Sequence, residues 1–101
     1  MSKKHVQNLI NNSGRKTVNQ FVILEDDNIF FQSYDSLVCI KTNTTITFGR
    51  DWDYSKTTMK YLNIFLSNYI DAHFKGAQTI RKAIKDGYYK GYIIKYDNNM
   101  R

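Results

Sequence analysis

The residues of this chain that could do chemistry form two groups: a thin scatter of acids and histidines, and a dense series of cations beside tyrosines. The acids stand as Glu25-Asp26-Asp27 and as Asp51 and Asp53 on either side of Trp52, and the histidines are His5 and His73. General acid–base catalysis needs such groups to converge in one pocket, and their spacing makes no known catalytic pattern. A metal-dependent nuclease would take carboxylates from separate elements with a lysine alongside, so Asp35, Asp51 and Asp53 near Lys56 are the set it would use. Turn and cap roles account for acids at these positions more simply. Cys39 lies in an apolar run and reads as a core residue, and His73 reads as packed on the apolar side of a helix. Two histidines and one cysteine offer no metal-ligand spacing, and Gly-rich phosphate loops are absent. The expectation is a protein without catalytic residues, metal or cofactor.

The cations carry the stronger signal. Lys75, Arg81, Lys82 and Lys85 recur on one helical arc that leads through Gly87 into Tyr88, Lys90 and Tyr92, placing positive charge next to rings that can stack on bases. Net charge is +6 and it is segregated: residues 1–17 carry +4, including Arg15 and Lys16, residues 18–74 carry −3, and residues 75–101 carry +5. Basic ends around an acidic centre suit a polyanion, because neutralised phosphates release counterions. The bland alternative is a solvated helix face beside a tyrosine-covered strand.

Elements that would position these residues follow from the hydrophobic period. Val6, Leu9 and Ile10 have helical spacing, but Asn11-Asn12-Ser13-Gly14 ends any helix after about two turns, so residues 1–17 read as a short basic helix or arm. Residues 18–101 read as one α+β domain. Gln20–Glu25, Ile29–Phe31, Leu37–Lys41 and Thr45–Phe48 are β-rich runs separated by turn clusters, predicting an antiparallel meander of about four strands. Ser55 is placed to cap a helix over residues 56–69, with Met59, Leu62, Phe65, Leu66 and Tyr69 on one face. A second helix carries His73, Ala77, Ile80 and Ile84 inward and the basic arc outward, with Gly87 just past its end. Residues 88–96 read as a single closing strand with Tyr88, Lys90 and Tyr92 on one face, and residues 97–101 as a frayed tail.

Composition bounds the rest. A chain of 101 residues with 42% hydrophobic residues supports one core and not two. One cysteine permits no internal disulfide, which fits a reducing setting. Polar residues follow Met1-Ser2-Lys3-Lys4 at once, and no apolar stretch approaches membrane-spanning length, so the expected location is the cytoplasm with no membrane partner. Eight Tyr and six Phe exceed what a minimal core requires, so some rings are expected to face a partner, including a second copy in a homodimer.

The most distinctive run is Asp51-Trp52-Asp53-Tyr54-Ser55-Lys56-Thr57-Thr58-Met59-Lys60-Tyr61. It resembles a family of small proteins from phages and mobile elements of Gram-positive bacteria, marked by Trp-Asp-Tyr-Ser-Lys-Thr-Thr followed by Lys-Tyr. Val18-Asn19-Gln20-Phe21, Phe31 to Leu37 and Ile64-Phe65-Leu66 resemble the same family, and the likeness spans about residues 14–90. The resemblance implies a phage accessory protein, such as an anti-CRISPR inhibitor acting on a host nucleoprotein in an infected cell. The basic second helix departs from the acidic character that DNA mimicry would require. Physically the motif reads as structural, with Asp53 or Ser55 capping the helix and Trp52 and Tyr54 wedging the loop against the sheet.

Overall fold

Five strands run antiparallel in chain order: β1 (Lys4–Ile10), β2 (Lys16–Glu25), β3 (Asn28–Ser33), β4 (Ser36–Lys41) and β5 (Thr45–Gly49). They are followed by α1 (Lys56–Tyr69), α2 (Ala77–Asp86), β6 (Tyr88–Tyr89) and β7 (Tyr92–Asp97) in a computed structural model that describes residues 4–100. One mixed sheet results, in the order β1-β2-β3-β4-β5-β7-β6, with β7 parallel to β5. A parallel pair cannot be closed by a tight turn, and the two helices form the crossover between β5 and β7.

Strand alternation sorts the sheet into two faces. Phe31 stacks on Phe65 of α1 at 5.4 Å between ring centroids, so the face of Phe31, Val22, Cys39, Ile46, Phe48 and Ile94 is the one the helices cover. The same register puts Val6, Ile23, Phe30 and Ile40 in one row on the opposite, helix-free face. α1 begins as its sequence requires: Ser55 is extended, and its hydroxyl accepts from the Thr58 amide at 3.1 Å. Such a cap contributes about 1 kcal/mol. Leu62, Phe65 and Leu66 are fully buried on the inner side. α2 ends at Gly87, whose left-handed φ of 73° lets its amide reach the Ala83 carbonyl at 2.8 Å.

Several expectations change. Of the segment expected as a helix or arm, residues 1–3 lie outside the described residues, and Lys4–Ile10 form strand β1, paired with β2 through a bulge at Asn8/Ile10 that turns Leu9 into the core. Two helical turns would leave most of their amides unpaired, whereas the edge of β2 satisfies them. The meander therefore has five strands rather than four, in a seven-stranded mixed sheet. The expected closing strand is a hairpin, because Lys90 (φ 44°) and Gly91 (φ 92°) turn the chain between Tyr89 and its partner Tyr92. α2 starts at Ala77 and not after Asp71, since Gly76 at φ 92° interrupts the helical path and Phe74 leaves it to enter the core. His73 is consequently exposed in the connecting loop, away from the apolar side of α2.

Of the tail expected to fray, residues 97–100 are docked, and residue 101 lies outside the described residues. Met100 is buried, and its carbonyl accepts from the Arg50 amide at 3.1 Å. This docking depends on Gly49, where a Cβ would stand 2.7 Å from the Met100 carbonyl oxygen and 2.8 Å from that of Leu37. Both obstacles are backbone, so neither can rotate aside. Gly49→Ala is expected to lower stability by about 2 kcal/mol, as overpacked sites do. Urea unfolding measures this, and a midpoint equal to wild type would contradict the packing described.

Candidate nucleic-acid interface

Three lysines with no carboxylate partner among the described residues lie where the two helices meet. Lys56 and Lys60 stand one turn apart on α1, and between α1 and the start of α2 they line a pair of adjoining recesses with Asn63, Lys75 and Arg81. The recesses share Lys60 and Asn63 and so form one groove. Its far end is bordered by Asn12, at the tip of the β1–β2 hairpin that also carries the exposed Arg15 and Lys16. The basic N-terminal and C-terminal parts of the sequence thus approach each other at one end of the groove. Asn63 fixes the groove's floor: its side-chain oxygen accepts from the Gly76 amide at 2.8 Å, tying α1 to the entry of α2. Asp53 is the one acid lining the groove, and Arg81 lies 3.6 Å from it.

The residues of the expected basic arc have different surroundings. Lys75 belongs to the loop before α2, not to the helix, but it does line the groove. Arg81 is on α2, and its guanidinium also stands over the Trp52 ring at 5.5 Å, so it joins the helix to the tryptophan motif. Lys82 is exposed and pairs with Asp86 one turn on at 3.0 Å. Lys85 is exposed on the other side of Arg81, beside Tyr96 and Trp52. The continuous strip of Tyr88, Lys90 and Tyr92 does not exist, because the hairpin divides it. Tyr88 is 60% exposed opposite Ile93, Lys90 bonds Asp71, and Tyr92 is half-buried under the Lys41 ammonium.

Within the motif, Ser55 and not Asp53 caps α1. Trp52 is 5% exposed and packs edge-on against Phe48 at 6.2 Å, as a wedge should. Tyr54 does not wedge; it is 79% exposed. Asp51 accepts from the Ser36 hydroxyl at 3.1 Å and faces a different recess from Asp53, so the two carboxylates do not converge. Among the described residues no three His, Cys, Asp or Glu side chains group closely enough to hold a metal. Burial pushes the Cys39 thiol far above its ordinary value, which removes its thiolate character.

Lys56 and Lys60 lie outside the basic arc expected from the sequence. Their i, i+4 spacing on the polar side of α1 was visible, but only the fold shows that this side faces Lys75.

A mixed sheet with both helices on one face defines a small α+β domain, with a groove bordered by cations between those helices. The chain belongs to a protein family of unknown function, DUF8033, whose model matches residues 4–87. No curated protein and no solved structure matches it. The groove-lining residues all lie inside the matched span. No helix among the described residues is long and apolar enough to cross a membrane.

The β6–β7 hairpin is held beside α2 by Asp71, which accepts from Lys90 at 2.9 Å and from the Tyr89 hydroxyl at 2.7 Å. The Lys90 bond, then the Tyr89 bond, hold the Asp71 carboxyl well below the usual carboxylate range. The bond to Asp71 raises Lys90. A lowered carboxyl contributes stability that is fully present above the unfolded value, about 3.9, and is lost as pH falls through the folded value. Lys90 contributes below about 10.4 and loses its contribution as pH rises through its own raised value. Asp71→Asn should therefore melt below wild type at neutral pH, with the gap narrowing once pH drops below about 4. Thermal melts across pH check this, and a gap independent of pH would contradict it.

Proposed function

We propose that this protein is a non-enzymatic binding protein that engages nucleic acid, free or within a nucleoprotein, through the groove between α1 and α2. The observation that carries this reading is the grouping of Lys56, Lys60, Lys75 and Arg81 around adjoining recesses with a single acid, Asp53. Arg81 is already paired with that acid, so three lysines present unneutralised charge to a phosphate backbone. Amide side chains from Asn12 and Asn63 stand among them and can meet phosphate or sugar oxygens. A solvated helix face would spread its charges outward; here lysines from α1 and from the loop before α2 border the same recess.

The setting comes from the motif at residues 51–61. Its likeness to small phage and mobile-element proteins supports a counter-defence role, in which the groove occupies the nucleic-acid or nucleoprotein surface of a CRISPR-type effector in the infected cell. The structure adds a physical reason for the motif: Trp52, Asp53 and Ser55 fix α1 and Arg81, and Lys56 and Lys60 follow on the same helix.

Binding of a labelled single-stranded oligonucleotide tests the groove directly. Three phosphate contacts predict a slope of log K against log salt of about −2. Lys60→Ala should weaken binding and reduce that slope by about 0.7. Lys85→Ala, outside the groove, should change the slope little. Absence of binding at about 0.1 mM protein, or a slope unaffected by Lys60→Ala, would remove the reading.

A further inference from the structure

A second recess opens on the other side of Ser55, which borders both it and the groove. It has a volume of about 220 Å³ and is built from two distant stretches of chain, the β3–β4 turn and the loop into α1. We propose that it receives one unstacked base of a single-stranded nucleic acid, a base that carries an exocyclic amino group. The groove reading supplies the strand; the recess itself supplies the chemistry.

Two exposed rings stand at this recess, Tyr34 at 57% and Tyr54 at 79% exposure. Neither is needed by the core, and each offers a face on which a base can stack. Tyr34 is held there against its backbone preference. It occupies φ 53° in a two-residue turn where Asn or Gly would be unstrained, and two bonds pin it: its amide donates to Asn19 O at 2.7 Å, and its carbonyl accepts from Gln32 Nε2 at 2.7 Å. A bulky residue kept in the left-handed region by surrounding bonds is a mark of functional placement.

The polar lining selects the ligand. Asp51 takes one bond from Ser36 at Oδ2 and has the exposed Arg50 guanidinium 3.8 Å from Oδ1, beyond hydrogen-bond length, which leaves carboxylate lone pairs for a donor. Ser33 and Thr57 add hydroxyls that both give and accept. A carboxylate disfavours phosphate in this recess and favours an amino edge, as acids do with the cytosine amino group. Phosphates would stay on the lysines, with the base turned in across Ser55.

Nitrogen-15 labelled full-length protein titrated separately with cytidine, uridine and ribose tests this. Cytidine and uridine differ at an amino group against a carbonyl oxygen. Cytidine should shift the amides of Ser33, Tyr34, Tyr54 and Thr57, and uridine should bind about fivefold or more weakly. Asp51→Asn should abolish that preference. Tyr54→Ala, which alters no packed contact, should weaken cytidine about fivefold or more. Tyr34→Asn should weaken it while raising Tm, because the turn strain is relieved. No shift at these amides, ribose binding as well as cytidine, or an unchanged preference in Asp51→Asn would overturn the proposal. Salt-dependent oligonucleotide binding without cytidine shifts would overturn it alone and leave the groove standing. Cytidine shifts without oligonucleotide binding would support the recess and remove the groove.

Discussion

Phe48 is the contact on which the placement of both helices depends. It is wholly buried at the end of β5, and two rings from outside the regular elements close on it edge-first: Trp52 at 6.2 Å and Phe74 at 6.1 Å. Trp52 fixes the loop that leads into α1. Phe74 fixes the loop that leads into α2 and stacks in turn on Tyr89 at 4.0 Å. Edge-to-face and offset aromatic contacts add about 0.5–1.5 kcal/mol each beyond their buried area. One side chain of the sheet therefore sets where both helices start, and the groove is the space left between them.

Charge is arranged around this framework in two ways. Arg81, Lys82 and Lys90 are each answered by a carboxylate, respectively Asp53, Asp86 and Asp71. These exposed pairs add little stability individually, typically under about 1 kcal/mol. Their value is positional, since Arg81 clamps α2 to the tryptophan motif and Lys90 clamps the terminal hairpin to the α1–α2 loop. Lys56, Lys60 and Lys75 have no carboxylate partner among the described residues and border the groove together. A basic surface read from composition thus divides into cations held in ion pairs and cations left exposed.

The local features were legible because they are written in short windows. Ser55 capping α1, Gly87 ending α2, chain reversals within the polar stretches 26–28 and 33–36, and the inward face of Leu62, Phe65 and Leu66 all follow from neighbouring residues. What failed depended on distant partners. β1 became a strand because β2 offered an edge, which the spacing of Val6, Leu9 and Ile10 does not reveal. Lys90-Gly91 broke an apparently continuous strand because β6 had β7 to pair with. Phe74 delayed the start of the second helix because Phe48, far away in sequence, needed covering. Two motif runs, residues 33–36 and 51–58, gave no sign of forming one recess until the β3–β4 turn and the start of α1 came together.

Within a family of unknown function, the groove is the feature that turns a fold into a claim about activity. Photo-crosslinking of a single-stranded RNA to the full chain, followed by mass spectrometry of the linked peptides, tests that claim most directly. Crosslinks are expected in the segments containing Lys56–Asn63 and Ala72–Arg81. Crosslinks confined to the helix-free face, at Ile23, Phe30 or Ile40, would contradict it.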